Sequence, residues 1–413
     1  MQTEIQNRNT ILNEVIHVIN DLNTNKKIKP RFRRRLETQN VDCQSVIRDK
    51  KNADNLLGPN RIRMIETKDL NLTCSAIKNR ILPPTPLESL KFGVAFARIV
   101  YTDYELIEDQ VRSSYHPQNV FCFAIDSRAD TEFHMKMRTL ASCFSNILVV
   151  KDEVPVDSKG HNGNLAHYSC LKLLVNRPGW GYAILLQNHD MITKSVYDLV
   201  KIFGILGGAN DVLIAPSQNR VDEKLSWNPY DLELLKTPSN YTLTIPSSAA
   251  QASFSFAAVE WMVRKVDLTK IINQLNTTDY GVDEILWSVL QTSEFLKMPG
   301  RFTSKCIEQS ISTPHISRYS KWRFSGEHCE SFRHDICVLG VEHLAEIVRI
   351  PNIVVNKMLP SFDYAAIDCL NEYLFNRTIL QLNEYPLNET FYETMVNVQY
   401  HKNHNEPSFK LRC

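Results

Sequence analysis

From residue 92 onward the chain alternates short, uninterrupted apolar runs with amphipathic stretches, a pattern that few architectures accept. Residues 92–101 (FGVAFARIVY), 120–125 (VFCFAI), 147–150 (ILVV) and 182–186 (YAILL) read as buried strands, because a strand covered on both faces has no polar side. Residues 105–114, 131–143, 164–175 and 194–206 read as the helices between them. Strand and helix taken in turn at this spacing predict an α/β fold with a largely parallel central sheet. Ligands of such sheets sit beyond the carboxyl ends of the strands, which draws attention to Asp126 and Asp190, each following an apolar run. Either acid is equally well explained as a helix or loop cap.

Ten cysteines are spread over the 413 residues without one Cys-x-x-Cys pair, so zinc-finger spacing is missing and disulfides are the better expectation. Sequons at Asn71, Asn240, Asn276, Asn376 and Asn388 fit a lumenal protein but are about as numerous as chance allows. With 47 Lys plus Arg against 46 Asp plus Glu, no global field recruits nucleic acid or an anionic membrane. The one dense charge run, KKIKPRFRRR at 26–35, follows an amphipathic helix expected over 10–22 and reads as a solvated stem. The longest uncharged stretch, 237–259, is too rich in Ser, Thr, Asn and Gln to span a bilayer, and the first residues lack the apolar core of a signal peptide.

Beyond the sheet, residues 279–291 (DYGVDEILWSVLQ) predict a helix whose first turn holds Asp283 and Glu284 beside the apolar stripe Ile285, Leu286 and Val289. An acid there is ordinarily a helix-dipole partner. The segments FGVAFARIVYTDYELIEDQVRSSYHPQNVFCFAIDSRAD, LASCFSNILVV, YAILLQNHDMITKS, DYGVDEILW, YSKWRF, HDICVLGVEHL and NKMLPSFDYAAIDCLNEYL, in that order, resemble the core-2/I-branching β-1,6-N-acetylglucosaminyltransferase family from about residue 43 to 374.

That resemblance implies a GT-A-like fold and an inverting transfer of a sugar from a UDP-sugar to an acceptor hydroxyl on an O-glycan or glycoprotein, with UDP-GlcNAc and a β-1,6 branch as the default. It also implies metal independence, and no Asp-x-Asp motif occurs in the sequence. Position by position, Glu284 matches the general base of the Asp-Glu-x-x-Trp segment and Lys357 the diphosphate lysine. The family's diphosphate arginine falls on His334, with Arg333 one residue earlier, so the clamp depends on whether that segment is loop or strand. Asp126 and Asp190 match acids near the donor. On the acceptor side Trp322 is kept, Phe324 replaces a tyrosine, and Arg220 and Glu223 are candidates. His161-Asn162-Gly163 stands where the family has Trp-Ser-Arg.

The resemblance further implies disulfides Cys43–Cys369, Cys74–Cys143, Cys122–Cys170 and Cys329–Cys337. For Cys306 and Cys413, mutual pairing, free thiols and a bridge between two chains all stay open, as does a homodimer. The implied organisation is a stem and tethered segment over 1–85, a catalytic domain over 86–378 and a tail over 379–413. A Golgi lumen or a secreted form follows, with membrane attachment only through an anchor not visible in this sequence. A xylosyltransferase using UDP-xylose and a non-catalytic sugar or nucleotide binder of the same fold are the alternatives.

Overall fold

The computed structural model describes residues 30–217, 225–326 and 329–413. The helix expected over 10–22, most of the basic run, and Arg220 and Glu223 lie outside the described residues. Arg34 and Arg35, at the end of that run, are docked instead of solvated. Their guanidinium groups pair with Glu372 and Glu105, the latter at 2.6 Å.

The central sheet contains β1 (Gly93–Val100), β2 (Val120–Ile125), β3 (Ile147–Val149) and β4 (Trp180–Leu186). After the two-residue β5 (Met191–Ile192), β6 (Ser253–Ser255) completes it in the order β3-β2-β1-β4-β6. Only the β4–β6 pairing is antiparallel. Helices Tyr104–Ser114, Thr131–Cys143, Gly163–Leu174 and Val196–Leu206 fall where the amphipathic stretches predict them. β1 is buried along its whole length, and its side chains divide by the two-residue period of a strand. Ala95, Ala97 and Ile99 enter one core with Cys122, Ala124 and the helix Gly163–Leu174. Val94, Phe96 and Val100 enter the other, with Phe121, Phe123 and Ile125.

Four disulfides staple the fold: Cys43–Cys369, Cys74–Cys143, Cys329–Cys337 and Cys306–Cys413. Each contributes on the order of 2–4 kcal/mol by restricting the unfolded chain. The expected Cys122–Cys170 bridge is not formed. Both residues are buried thiols in hydrogen-bonding contact, in a layer where alanines let the helix approach the sheet closely. Burial and the neighbouring sulfur push the Cys170 thiol well up, which keeps that thiol protonated.

Two further expectations are corrected. Residues 379–413 are not a simple tail: the helices Glu389–Thr394 and Val396–Asn403 bury Tyr392, Met395 and Val398, and Cys413 is bonded to Cys306. The helix expected from residue 279 is interrupted. Val282–Glu284 form a 3-10 turn, and the α-helix spans Leu286–Thr292. The cause is a tertiary contact, since the Glu284 carbonyl accepts the Ser248 N–H at 2.7 Å and is thereby diverted from the helical ladder. Among the described residues no helix is long and apolar enough to cross a membrane.

Candidate active site

A cleft of about 420 Å³ opens at the carboxyl ends of β1, β2 and β4, within the size range of small-molecule sites. Tyr101 follows β1, Asp126 and Arg128 follow β2, and Gln187 to His189 follow β4. The facing wall carries Asp283, Glu284, Arg318, Trp322, Arg333, His334 and Lys357. Residues far apart in sequence, among them Asp126, Glu284 and Lys357, thus share one space.

The two strand-end acids part company. Asp126 lines the cleft, and its carboxylate accepts the Arg128 backbone N–H at 2.9 Å and its guanidinium at 2.8 Å. Burial alone would raise the Asp126 carboxyl, but these bonds outweigh it and hold it below the usual range. Asp190 is fully buried beneath the floor and does not line the cleft. Its carboxylate is filled by three donors: the Gln187 N–H at 2.6 Å, the Gln251 amide at 2.9 Å and the Asn356 amide at 2.6 Å. From below, Arg98 on β1 donates to the carbonyls of Gln187 and Asp190 at 2.7 and 2.9 Å. Asp190 therefore shapes the floor and fixes Asn356, the neighbour of Lys357.

Glu284 ends the 3-10 turn, half-buried, on a short segment fixed at several points. The Gly281 N–H reaches the Lys159 carbonyl at 2.8 Å, and the Asn164 amide reaches the Val282 carbonyl at 2.8 Å. Asp283 lies against Gly160 and Gly163, where a Cβ at Gly160 would come within 2.2 Å of its carboxylate oxygen. Glycine is thus required there for close approach, besides its positive φ of 93°.

The cationic side is built on a hairpin of β7 (Phe332–Arg333) and β8 (Ile336–Cys337). Its turn residues His334 and Asp335 have φ of 53° and 58°, the left-handed pair of a two-residue hairpin loop. The Cys329–Cys337 disulfide closes the hairpin, and a bridge from Ile336 joins it to Trp322. Arg333 and His334 both line the cleft, so the one-residue displacement of the arginine does not turn it away. The Arg333 guanidinium donates to the Tyr101 hydroxyl at 3.2 Å, and its carbonyl accepts the Lys357 ammonium at 3.3 Å. Lys357 follows β9 (Val354–Val355). Burial first, then the neighbouring charges of Arg333 and Arg318, push its ammonium down to about 8. Removing the staple with Cys329→Ser plus Cys337→Ser is expected to speed amide hydrogen exchange over residues 332–337 several-fold. The control Cys306→Ser plus Cys413→Ser should leave exchange there unchanged, and equal exchange in both variants would show that the hairpin needs no staple.

On the remaining rim, the Trp322 ring lies under the Arg318 guanidinium at 5.6 Å and stacks on Phe324 at 5.4 Å. Phe324 is 80% exposed and lies outside the cleft lining, so it extends the aromatic surface without forming the wall. Among the sequons, Asn71, Asn240 and Asn388 are exposed, Asn376 is half-buried in the helix Tyr364–Ile379, and Asn276 commits its amide to Asn162. Sequence reasoning missed Tyr101, Arg128, Arg318 and Gln251. Arg318 lies three residues before the Lys321-Trp322 pair and donates to Gln251 at 3.0 Å and Asn356 at 3.3 Å, a role that only the folded chain reveals. Among the described residues, Cys329, Cys337 and His343 form a group with metal-like spacing, but both cysteines are disulfide-bonded.

Comparison with known proteins gives a match of residues 94–348 to the family model described as Core-2/I-Branching enzyme. A beta-1,3-galactosyl-O-glycosyl-glycoprotein beta-1,6-N-acetylglucosaminyltransferase of Bovine herpesvirus 4 is 25% identical over 374 residues, covering 83% of this chain and 84% of that protein. The beta-1,3-galactosyl-O-glycosyl-glycoprotein beta-1,6-N-acetylglucosaminyltransferase 3 of Rattus norvegicus is 25% identical, covering 82% and 84%. Its Ovis aries counterpart is 26% identical, covering 83% of each chain.

Proposed function

Since the chain belongs to the Core-2/I-branching enzyme family and is a glycosyltransferase, we propose that it transfers N-acetylglucosamine from UDP-GlcNAc to a 6-hydroxyl of an O-glycan core on a glycoprotein, inverting the anomeric carbon. The observation that carries this reading is the shared cleft: the Glu284 carboxylate and the Lys357 ammonium line it together with Arg333 and Arg318. In the proposed step ionised Glu284 accepts the proton of the acceptor hydroxyl as that oxygen bonds to C1 of the sugar. The bond from C1 to the diphosphate oxygen breaks, its electron pair leaves on UDP, and attack from the opposite face inverts the centre. Lys357 and Arg333 compensate the charge that grows on the leaving diphosphate. Asp126, tied to Arg128, and the floor built over Asp190 shape the donor side, while Trp322 offers a ring face to the acceptor sugar.

The four disulfides fit an oxidising lumen of the secretory pathway. The reading is tested by incubating the protein with several UDP-sugars and a Galβ1,3GalNAc acceptor. A trisaccharide carrying GlcNAc as the branch is expected, whereas transfer from UDP-xylose alone would replace the donor. With the diphosphate charge met by side chains, EDTA is expected to leave at least about half of the transfer rate, since no Lewis acid has to share in leaving-group stabilisation. Abolition by EDTA, with recovery on adding a divalent cation, would overturn metal independence.

A further inference from the structure

The loop 157–164 holds the segment 276–284 through several direct contacts, and His161 is at their centre. One ring nitrogen of His161, Nδ1, lies 2.7 Å from an Asp157 carboxylate oxygen, and the other, Nε2, lies 2.8 Å from the Thr278 carbonyl. Both partners are acceptors only, so satisfying both requires an N–H on each ring nitrogen, which is the imidazolium form. Around this contact Asn162 and Asn276 exchange two hydrogen bonds, at 2.9 and 3.0 Å. The Lys159 and Asn164 contacts and the seating of Asp283 on Gly160 and Gly163 complete the grip on the turn that ends in Glu284.

We propose that His161, doubly protonated, is a positioning residue for Glu284, holding the 276–284 segment in place and releasing part of that hold when its second proton leaves to solvent. The kinetic consequence rests on the reading of Glu284 as the base. The charges bearing on the ring are Asp157, which favours the imidazolium, and Lys159, which opposes it, both on its own loop. The facing segment contributes the Thr278 carbonyl and carries three acids, Asp279, Asp283 and Glu284, of which Asp283 is turned to the two glycines. The Asp157 hydrogen bond, then that to Thr278, raise the His161 imidazolium above its ordinary value. Burial would raise the Asp157 carboxyl, but its bonds to His161 hold it below its ordinary value. The hold is therefore complete below the unfolded value of His161 and is lost as pH rises through the raised folded value. It is lost again only in strong acid, where Asp157 protonates.

The experiment combines kcat–pH profiles, UDP affinity and NMR of the protein labelled at histidine ring nitrogens and glutamate carboxyls. His161→Ala is expected to lower kcat by about tenfold with UDP affinity within about twofold, as for a displaced base. Wild type should show an alkaline decline in kcat whose midpoint coincides with His161 in the NMR titration. His161→Arg, which donates to both acceptors without titrating in this range, should restore transfer to within a few-fold and lack that decline. Wild-type kcat in His161→Ala, or the same decline in His161→Arg, overturns the proposal. If wild type transfers from no UDP-sugar, the functional reading fails, and the proposal is then decided by the Glu284 carboxyl resonance. A step at the His161 midpoint, lost in His161→Arg, upholds positioning, and no step overturns it.

Discussion

Glu284→Gln is expected to lower transfer by about 100-fold or more while UDP affinity and thermal midpoint stay close to wild type. Glutamine keeps the volume and polarity of the side chain but cannot accept a proton at working pH. The backbone contacts that place the residue, from Ser248 to its carbonyl and from its own N–H to Gly281, do not involve the side chain and survive the change. A loss confined to kcat would match a group engaged when the hydroxyl proton moves, whereas a loss confined to KM would indicate a binding contact. Near-normal turnover would remove Glu284 from the mechanism.

Lys357→Ala is expected to weaken UDP by about 10- to 100-fold, the usual worth of a charged hydrogen bond, and to leave acceptor affinity within about twofold. Calorimetric titration with UDP, and separately with acceptor, checks it. Equal losses for both ligands would contradict a diphosphate role. The depressed Lys357 adds a signature in pH. With burial and two guanidinium neighbours lowering it to about 8, the unliganded side chain loses its charge as pH rises through that value. Wild-type UDP affinity should therefore decline above about pH 8, Lys357→Ala should lack this decline, and Lys357→Arg should stay flat because a guanidinium does not titrate there.

The sheet was legible in the sequence because its strands are covered on both faces and so appear as unbroken apolar runs. The observed β2 coincides with residues 120–125, and the helix at 131–143 is bounded as expected. The cleft was legible only where a residue ends a strand or matches a family motif, as with Asp126, Glu284 and Lys357. Asp190 was visible as a residue but not in its position, since burial depends on Gln251 and Asn356, 61 and 166 residues away in sequence. Arg318 was missed for the same reason: its partners are set by loops that meet only in the folded chain. The break before Leu286 depended on a carbonyl diverted to Ser248, and no periodicity encodes that. The Cys122–Cys170 pairing rested on resemblance alone, and the buried layer holds the two sulfurs as thiols.

The two-residue turn at His334 and Asp335 also bears on how relatives of this chain are to be compared. Neighbouring residues of a stapled hairpin both look into the cleft, so a positive charge can migrate by one letter along the chain and still face the same cavity. Columns of an alignment would score such a migration as the loss of a functional arginine. Homologues carrying a histidine at that column are therefore better sorted into active and retired enzymes by where their cations converge in space.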